Sequence, residues 1–199
     1  MSNLIREKVI VLRKTKYSEA DLVIQTLSAK GGKISFLARG ALRSKKRFGG
    51  GILEPTHHLE VQYKKPSRED ALAVLDEAVL LQDFPSLRMD YDRLEMALKV
   101  LEIVNKVAQE GDAHAESIYN LTGSALKSLD SNLDISHFKI HFALRFLMQQ
   151  GVLEQENWMK VFLQTPLAKT YELAETDVDP KYLHWVESRL ATYVARAEH

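Results

Sequence analysis

Residues 31–40 have the sequence GGKISFLARG, and this stretch decides the fold of the first part of the chain. Its paired glycines suit a tight reversal, because residues that easily adopt positive φ favour hairpin turns. Ile34, Phe36 and Ala38 then alternate with their neighbours at the two-residue period of a strand. The stretch therefore predicts a β-hairpin whose second strand has one apolar face.

Further short segments rich in β-branched residues surround this hairpin. They lie at 8–13, 20–27 and 57–63, and a fifth candidate at 70–75 is equally compatible with the start of a helix. A basic segment with three consecutive glycines, 41–51, is expected to be an exposed, mobile loop. Five short strands with one long loop predict a small closed barrel of the OB-fold class.

The remainder of the chain predicts helices. Three- and four-residue apolar steps begin after Pro85, at Leu87, Tyr91, Leu94, Leu98, Leu101 and Val104. Further helices are expected from about Asp134 to Gln150, ended by Gly151, and from about Pro180. We therefore predict an α+β chain, with an OB-fold nucleic-acid-binding domain at 1–80 and an all-α helical domain at 81–199.

The charge of the chain is unevenly distributed. Residues 1–68 contain 15 Lys and Arg against 5 Asp and Glu, whereas residues 69–199 contain 12 against 22. The formal net charge of zero thus combines a basic first part with an acidic second part. Such asymmetry indicates a polyanionic partner for the basic part.

Catalytic and metal-binding signatures are weak. The chain has no cysteine, which excludes a thiol nucleophile and a thiolate zinc site. His137 and His141 have the i,i+4 spacing of some zinc ligands, but no third ligand is indicated, so a partly exposed histidine pair is expected instead. There is no phosphate-binding Walker pattern and no nucleophile elbow. We predict neither an enzyme nor a cofactor or metal site.

Membrane and export signals are also lacking. No apolar segment precedes Arg6 and Lys8, and no apolar run approaches the ~18 residues of a membrane-spanning helix. We therefore expect a cytoplasmic protein with no membrane partner.

The strongest local signal is a basic cluster without any acidic residue. Its side chains are expected to neutralise phosphates, and they are Arg39, Arg43, Lys45, Lys46 and Arg47. Lys14, Lys16 and Lys33 are predicted as supporting DNA-binding cations. Phe36, Phe48 and Tyr17 are candidates for stacking on bases, although the alternating pattern also suits Phe36 as a core residue.

Two linked motifs resemble those of the RecO family of DNA repair and recombination mediators. The first is LRKTKYSEADL at 12–22, and the second is GKISFLARGA at 32–41, followed by the basic RSKKRF at 43–48. A third, more generic motif, FALRFL at 142–147 ahead of Gly151, resembles part of that family's helical domain.

The resemblance implies both a fold and a function. RecO proteins have an N-terminal OB-fold and a C-terminal helical domain, bind single- and double-stranded DNA, and anneal complementary strands. With RecR they help to load RecA onto DNA coated by single-strand-binding protein. For the acidic tail of that protein, the candidate contacts here are the helical cations Arg93, Lys139 and Arg145. Many members also carry a four-cysteine zinc site, which the corresponding segment 152–158, VLEQENW, lacks.

Two alternatives to DNA binding follow from the same residues. The basic loop also suits a protein-interaction adaptor that docks on an acidic partner, since both functions depend on charge. A nuclease is disfavoured because the basic part has no cluster of acids. Dependence of affinity on oligonucleotide length separates a strand binder from an adaptor.

Overall fold

The computed structural model describes residues 4–66, 68, 71–112, 115–131 and 133–197. These residues form two compact units, of which the first comprises Met1–Asp83 and Ala108–Tyr119 and the second Phe84–Val107 and Asn120–His199. We call the first the barrel unit and the second the helical unit.

The barrel unit contains five strands. They are β1 Leu4–Lys16, β2 Leu22–Ser28, β3 Gly32–Ala38, β4 His58–Lys64 and β5 Ala73–Gln82. The strands close into a barrel in the order β1-β2-β3-β5-β4. Closure depends on a short parallel pairing of β3 with β5, in which Phe36 lies opposite Ala73 and Leu37 opposite Val74. The predicted OB-fold architecture is confirmed. The ambiguous fifth segment, 70–75, overlaps strand β5 only at 73–75, and its residue 70 lies outside the described residues.

The barrel core follows the alternation expected from the sequence. Phe36 and Ala38 of β3 pack with Leu22 and Ile24 of β2, and all four side chains are buried. The intervening residues of β2 and β3 face outward, because successive strand side chains point to opposite faces. The apolar face predicted for the second strand of the hairpin is therefore the inner face of the barrel.

The β2–β3 hairpin is held by a second segment of the barrel unit. The amide of Lys33 donates to Gln109 O at 3.0 Å, and that of Gly111 donates to Gly31 O at 2.9 Å. Gly32 lies between these bonds with φ of +68°, and a Cβ there would come within 2.2 Å of Gln109 O. Only glycine fits this close approach of two backbones.

The helices are α1 Tyr91–Val107, α2 Ala115–Leu129, α3 Ile135–Gln149, α4 Lys160–Gln164 and α5 Pro180–Ala197. Helix α3 is central to the helical unit, with Phe138, Phe142 and Phe146 fully buried. Its predicted start is confirmed, because the Asp134 carboxylate accepts from the amides of Ser136 and His137 at 2.8 and 3.0 Å.

The apolar face predicted for α1 is partly wrong. Tyr91 and Leu98 are exposed, whereas the predicted Leu101 and Val104 are buried together with Met96 and Val100. Asp90 has an extended backbone and separates a short 3-10 turn from the helix, so Leu87 belongs to the turn. Within α1, successive residues turn by about 100°, which places Leu98 nearly opposite the buried Met96.

Candidate nucleic-acid interface

Two loops meet at one end of the barrel. Lys16 at the end of β1 pairs with Leu22 at the start of β2, and Leu22 pairs with Ala38 at the end of β3. The loop 17–21 and the start of the loop 39–57 therefore lie side by side. We call the segment 39–48 the basic loop.

Hydrogen bonds tie the basic loop to the loop 17–21. The amide of Leu42 donates to Ala20 O at 3.0 Å, and that of Gly40 donates to a carboxylate oxygen of Asp21 at 2.7 Å. The bond from Gly40, with smaller contributions from Ser18 and Arg39, lowers the pKa of Asp21 below its ordinary value. Asp21, a residue of the RecO-like motif, thus remains ionised and fixes the start of the basic loop.

The far end of the basic loop is anchored in the barrel core. Phe48 is 4% exposed and packs in the same cluster as Phe36, with Ala41 also buried. The amide of Ala78 on β5 donates to Arg47 O at 3.4 Å. The expectation of an exposed loop is therefore wrong for Ala41 and Phe48, which are buried, whereas Leu42 and the cations between them face solvent.

Burial also decides which aromatic residues can reach a base. Phe36 has no exposed surface and Phe48 almost none, so the prediction that they stack on bases is wrong in this conformation. Tyr17 is 67% exposed and is the first residue of the loop 17–21. It is the stacking candidate that the structure leaves accessible.

Seven of the eight predicted cations lie at this end of the barrel. Those of the basic loop are joined by Lys14 and Lys16 at the end of β1, and the set is Lys14, Lys16, Arg39, Arg43, Lys45, Lys46 and Arg47. Lys33 is at the opposite end of β3, about 20 Å away at roughly 3.3 Å per residue. The structure thus separates Lys33 from the cluster with which it was grouped.

The clustered cations differ in whether they form ion pairs with acidic residues of the same chain. Lys14 pairs with Glu54 at 2.5 Å, and Arg43 approaches Glu19 at 3.7 Å with both side chains largely exposed. Such exposed pairs contribute little and exchange readily for another anion. Lys45 and Lys46 are exposed and form no ion pair with any residue that the structure describes.

Arg47 has a different arrangement. Its guanidinium donates to Arg39 O at 3.0 Å and lies 5.1 Å from the centroid of the Phe48 ring. The loop backbone and a buried ring therefore preorganise this cation. Arg presents several N–H donors in a fixed plane. The donors of Arg47 that do not bond to Arg39 O therefore remain suited to phosphate oxygens.

One cation on the outer face of the barrel was missed. The pairing of β1 with β2 shifts between Val11 and Arg13, which is a β-bulge at Leu12. Arg13 then lies opposite Gln25, on the outer face, whereas simple alternation from Val9 and Val11 would turn it inward. Arg13 is exposed, and no pattern in the sequence marks the bulge.

The two histidines with i,i+4 spacing have different surroundings, and the prediction of a partly exposed pair is wrong for His141, which is fully buried. The His137 ring contacts Asp134 and Thr176 O, while the buried His141 ring contacts Thr170 and accepts from Arg145 at 3.0 Å. The segment 152–158 offers carboxylates and no thiolate or imidazole, so it does not fit the zinc site of cysteine-bearing RecO proteins. Among the described residues, no group of three or more possible ligands lies together.

No helix in the described part of the chain is long and apolar enough to cross a membrane.

The architecture defines a class, that of OB-fold barrels followed by a helical unit. Comparison with known sequences then identifies the family. Residues 1–84 match the family model described as Recombination protein O N terminal. This part of the chain therefore belongs to the RecO family, and the resemblance seen in the sequence motifs is confirmed.

Curated proteins similar to the chain share one name. DNA repair protein RecO of Desulfosudis oleivorans is 33% identical over 145 residues, which are 72% of this chain and 55% of that protein. Its namesake in Syntrophobacter fumaroxidans is 31% identical over 148 residues, 74% of this chain and 57% of that protein. DNA repair protein RecO of Anaeromyxobacter sp. is 35% identical over 122 residues, which are 61% of this chain and 47% of that protein. The chain spans about half the length of the curated relatives that it matches.

Proposed function

We propose that this protein is a DNA repair and recombination mediator that binds single- and double-stranded DNA and anneals complementary strands. With RecR, it would help to load RecA onto DNA coated by single-strand-binding protein. The observation that carries the proposal is the exposed basic loop, fixed at both ends and flanked by Lys14, Lys16 and Tyr17 at one end of the barrel. Family membership of residues 1–84 supports the same function.

The proposed mechanism is electrostatic. Cations that contact the phosphates of one strand release its counterions and reduce the repulsion that opposes the approach of a second strand. This lowers the barrier to pairing without any covalent step. A fixed loop suits the task, because less side-chain and backbone freedom is given up when the strand binds.

The primary experiment measures fluorescence anisotropy of labelled single-stranded DNA during a salt titration. The test variant is Arg43→Ala/Lys45→Ala/Lys46→Ala/Arg47→Ala. We expect weaker binding and a shallower dependence of affinity on salt. The salt slope should decrease by about 0.7 for each phosphate that the variant no longer neutralises, and so by up to about 3 for four phosphates.

A matched control removes the same charge from the helical unit. Lys127→Ala/Lys160→Ala/Arg189→Ala/Arg196→Ala changes four exposed cations and should leave the slope unchanged. Equal effects of the two variants would refute the assignment of the basic loop. If affinity does not increase with oligonucleotide length for the wild type, the adaptor is the better description.

A groove in the helical unit suits the acidic tail of single-strand-binding protein. Its volume is about 290 Å³, and it lies between α1, α3 and α5 with Met96, Ile103, Phe142, Leu190 and Val194 among its apolar lining residues. Lys99, Lys106 and Lys139 line it as well, and so do Glu187 and Glu102, which pairs with Lys106 at 2.9 Å. An apolar floor beside the cations Lys99 and Lys139 fits an acidic peptide that also carries apolar side chains.

The structure distinguishes among the three helical cations considered for this tail. Lys139 lines the groove. Arg93 pairs with Asp90 at 3.3 Å, and Arg145 donates to His141 and to Leu163 O at 2.9 Å, so these two are occupied elsewhere. We expect Lys99→Glu/Lys139→Glu to abolish binding of a fluorescent acidic peptide, and the quadruple alanine variant of the basic loop to retain it. Retention by the groove variant would exclude this site.

A further inference from the structure

A second cationic surface lies at the other end of the barrel. It is a cleft of about 770 Å³ with four cations among its lining residues, and these are Arg6, Lys30, Lys65 and Arg68. Lys30 belongs to the β2–β3 turn, whereas Lys65 and Arg68 belong to the β4–β5 connection, so two separate segments contribute cations to the cleft. All four are exposed.

The acidic residues of the cleft do not cancel this charge. The Glu7 carboxylate is half-buried at its floor and accepts hydrogen bonds from Ser28 Oγ and, at 3.1 Å, from the Tyr63 hydroxyl. Burial, together with the Glu7 charge, raises the pKa of Tyr63 to about 12, so this hydroxyl remains a donor. Glu110 is the other acid among the described lining residues. Among the lining residues that the structure describes, the cations outnumber the acids by four to two.

The backbone contacts of the β2–β3 hairpin build one wall of the cleft. Gly31 and Gly111, which are joined by a 2.9 Å hydrogen bond, both line it. Ile5, Ile34 and Ala73 supply apolar surface between the walls. Of the lining residues that the structure describes, none is aromatic except the buried Tyr63. The cleft therefore suits a phosphate backbone better than stacked bases.

The cleft is well separated from the basic loop. Strand β1 begins beside the cleft at Ile5 and ends at Lys16 beside the basic loop. Eleven residues of strand at roughly 3.3 Å each correspond to about 35 Å at most, and less where the strand twists. A short oligonucleotide held by one surface therefore leaves the other free.

We propose that the cleft between Lys30 and Lys65 binds the phosphate backbone of a second nucleic-acid strand while the basic loop holds the first. This inference rests on the proposed function and extends it to two strands on one barrel. Two strands held by one protein have a high effective concentration for each other, which accelerates a bimolecular step such as annealing.

The test is co-binding of two strands that cannot pair with each other. Oligothymidylate and oligodeoxycytidylate of about eight nucleotides, within the range of OB-fold site sizes, carry a donor and an acceptor fluorophore. We expect energy transfer with the wild type at low salt. Lys30→Glu/Lys65→Glu should still bind a strand but lose the transfer, and so should the quadruple alanine variant of the basic loop.

The control Lys127→Glu/Lys160→Glu reverses the same charge on the helical unit and should keep the transfer. Glu7→Gln removes the negative charge from the floor of the cleft while preserving its shape. In the background of the basic-loop variant, where the cleft alone binds, it should tighten strand binding several-fold. This gain is a result that loss of folding cannot produce.

The alternative outcomes are distinct. If the wild type binds a strand without energy transfer, or if the cleft variant keeps the transfer, the two-strand proposal is wrong while DNA binding stands. If the cleft variant loses affinity for polyglutamate but not for DNA, the cleft is an acidic-protein site. If the wild type binds no strand at low salt, the proposed function fails and the two-strand inference with it.

Discussion

The barrel and helical units use arginine in opposite ways. Arg43 of the basic loop is largely exposed, and its nearest acid is 3.7 Å away and itself in solvent. Arg145 of the helical unit donates to His141, Leu163 O and Thr165 O, and it is only partly accessible. A cation is therefore available for a ligand when the fold has not already supplied hydrogen-bond acceptors for it.

The hydrogen bonds of Arg145 explain what this cation does instead. The His141 ring accepts from Arg145 Nε and donates from Nδ1 to Thr170, whose hydroxyl donates in turn to Leu167 O. The network joins α3 to the segment 163–170. In this chain, buried hydrogen bonds organise the region after α3, for which the RecO resemblance implied a cysteine-held metal.

Truncating the anchor of the basic loop should have the largest effect on stability. Phe48→Ala removes a buried ring from the barrel core and is expected to cost about 4 kcal/mol of unfolding free energy. Hydrogen exchange of the β-strand amides would measure the decrease. Phe48→Leu should recover most of the stability together with DNA affinity. If it restores stability but not affinity, Phe48 contacts DNA directly and the burial argument fails.

Acid should weaken the helical unit through His141. Burial, and next the charge of Arg145, lower the pKa of this imidazole to about 4 in the folded chain, whereas an exposed histidine titrates near 6.5. Between those pH values the unfolded chain binds the proton and the folded chain does not. The free energy of unfolding therefore falls as the pH decreases from about 6.5 to 4, by at most roughly 3 kcal/mol.

Tryptophan fluorescence during urea unfolding would measure this effect. The chain has two tryptophans, and Trp158 and Trp185 lie with ring centroids 6.2 Å apart in the helical unit. In His141→Gln the extra loss of stability in acid should be much smaller than in the wild type. An equal pH dependence in the two proteins would show that His141 is already protonated, or exposed, when folded.

Substitution of Tyr17 should have the smallest effect of these changes, and it should alter DNA affinity without altering stability. Its exposed ring is placed to stack on a base beside the basic loop, and removing one stacked ring costs about 1 kcal/mol or slightly more. Tyr17→Ala should therefore weaken single-strand binding by roughly five- to tenfold with unchanged stability. Tyr171→Ala, which removes an exposed tyrosine of the helical unit, is the matched control. Equal affinities for Tyr17→Ala and the wild type would show that bases are not stacked there.

The amino-acid sequence alone determined the local features of this protein. The alternation through Ile34, Phe36 and Ala38, the glycine turn before it and the helix start near Asp134 are signals of a few neighbouring residues, and the structure contains each of them. The RecO-like motifs at 12–22 and 32–41 are local in the same sense. Short-range backbone preferences and side-chain periodicity suffice to predict such features.

The tertiary structure alone decided which of the predicted site residues are accessible and which lie together. Phe48 is buried because the barrel core has space for it. Lys33 is remote from the basic loop because it lies at the opposite end of β3. Arg13 faces outward because of a bulge, and Arg145 is occupied because a distant segment brings carbonyl groups to it. Each outcome depends on contacts between residues far apart in the chain, which periodicity and composition do not encode.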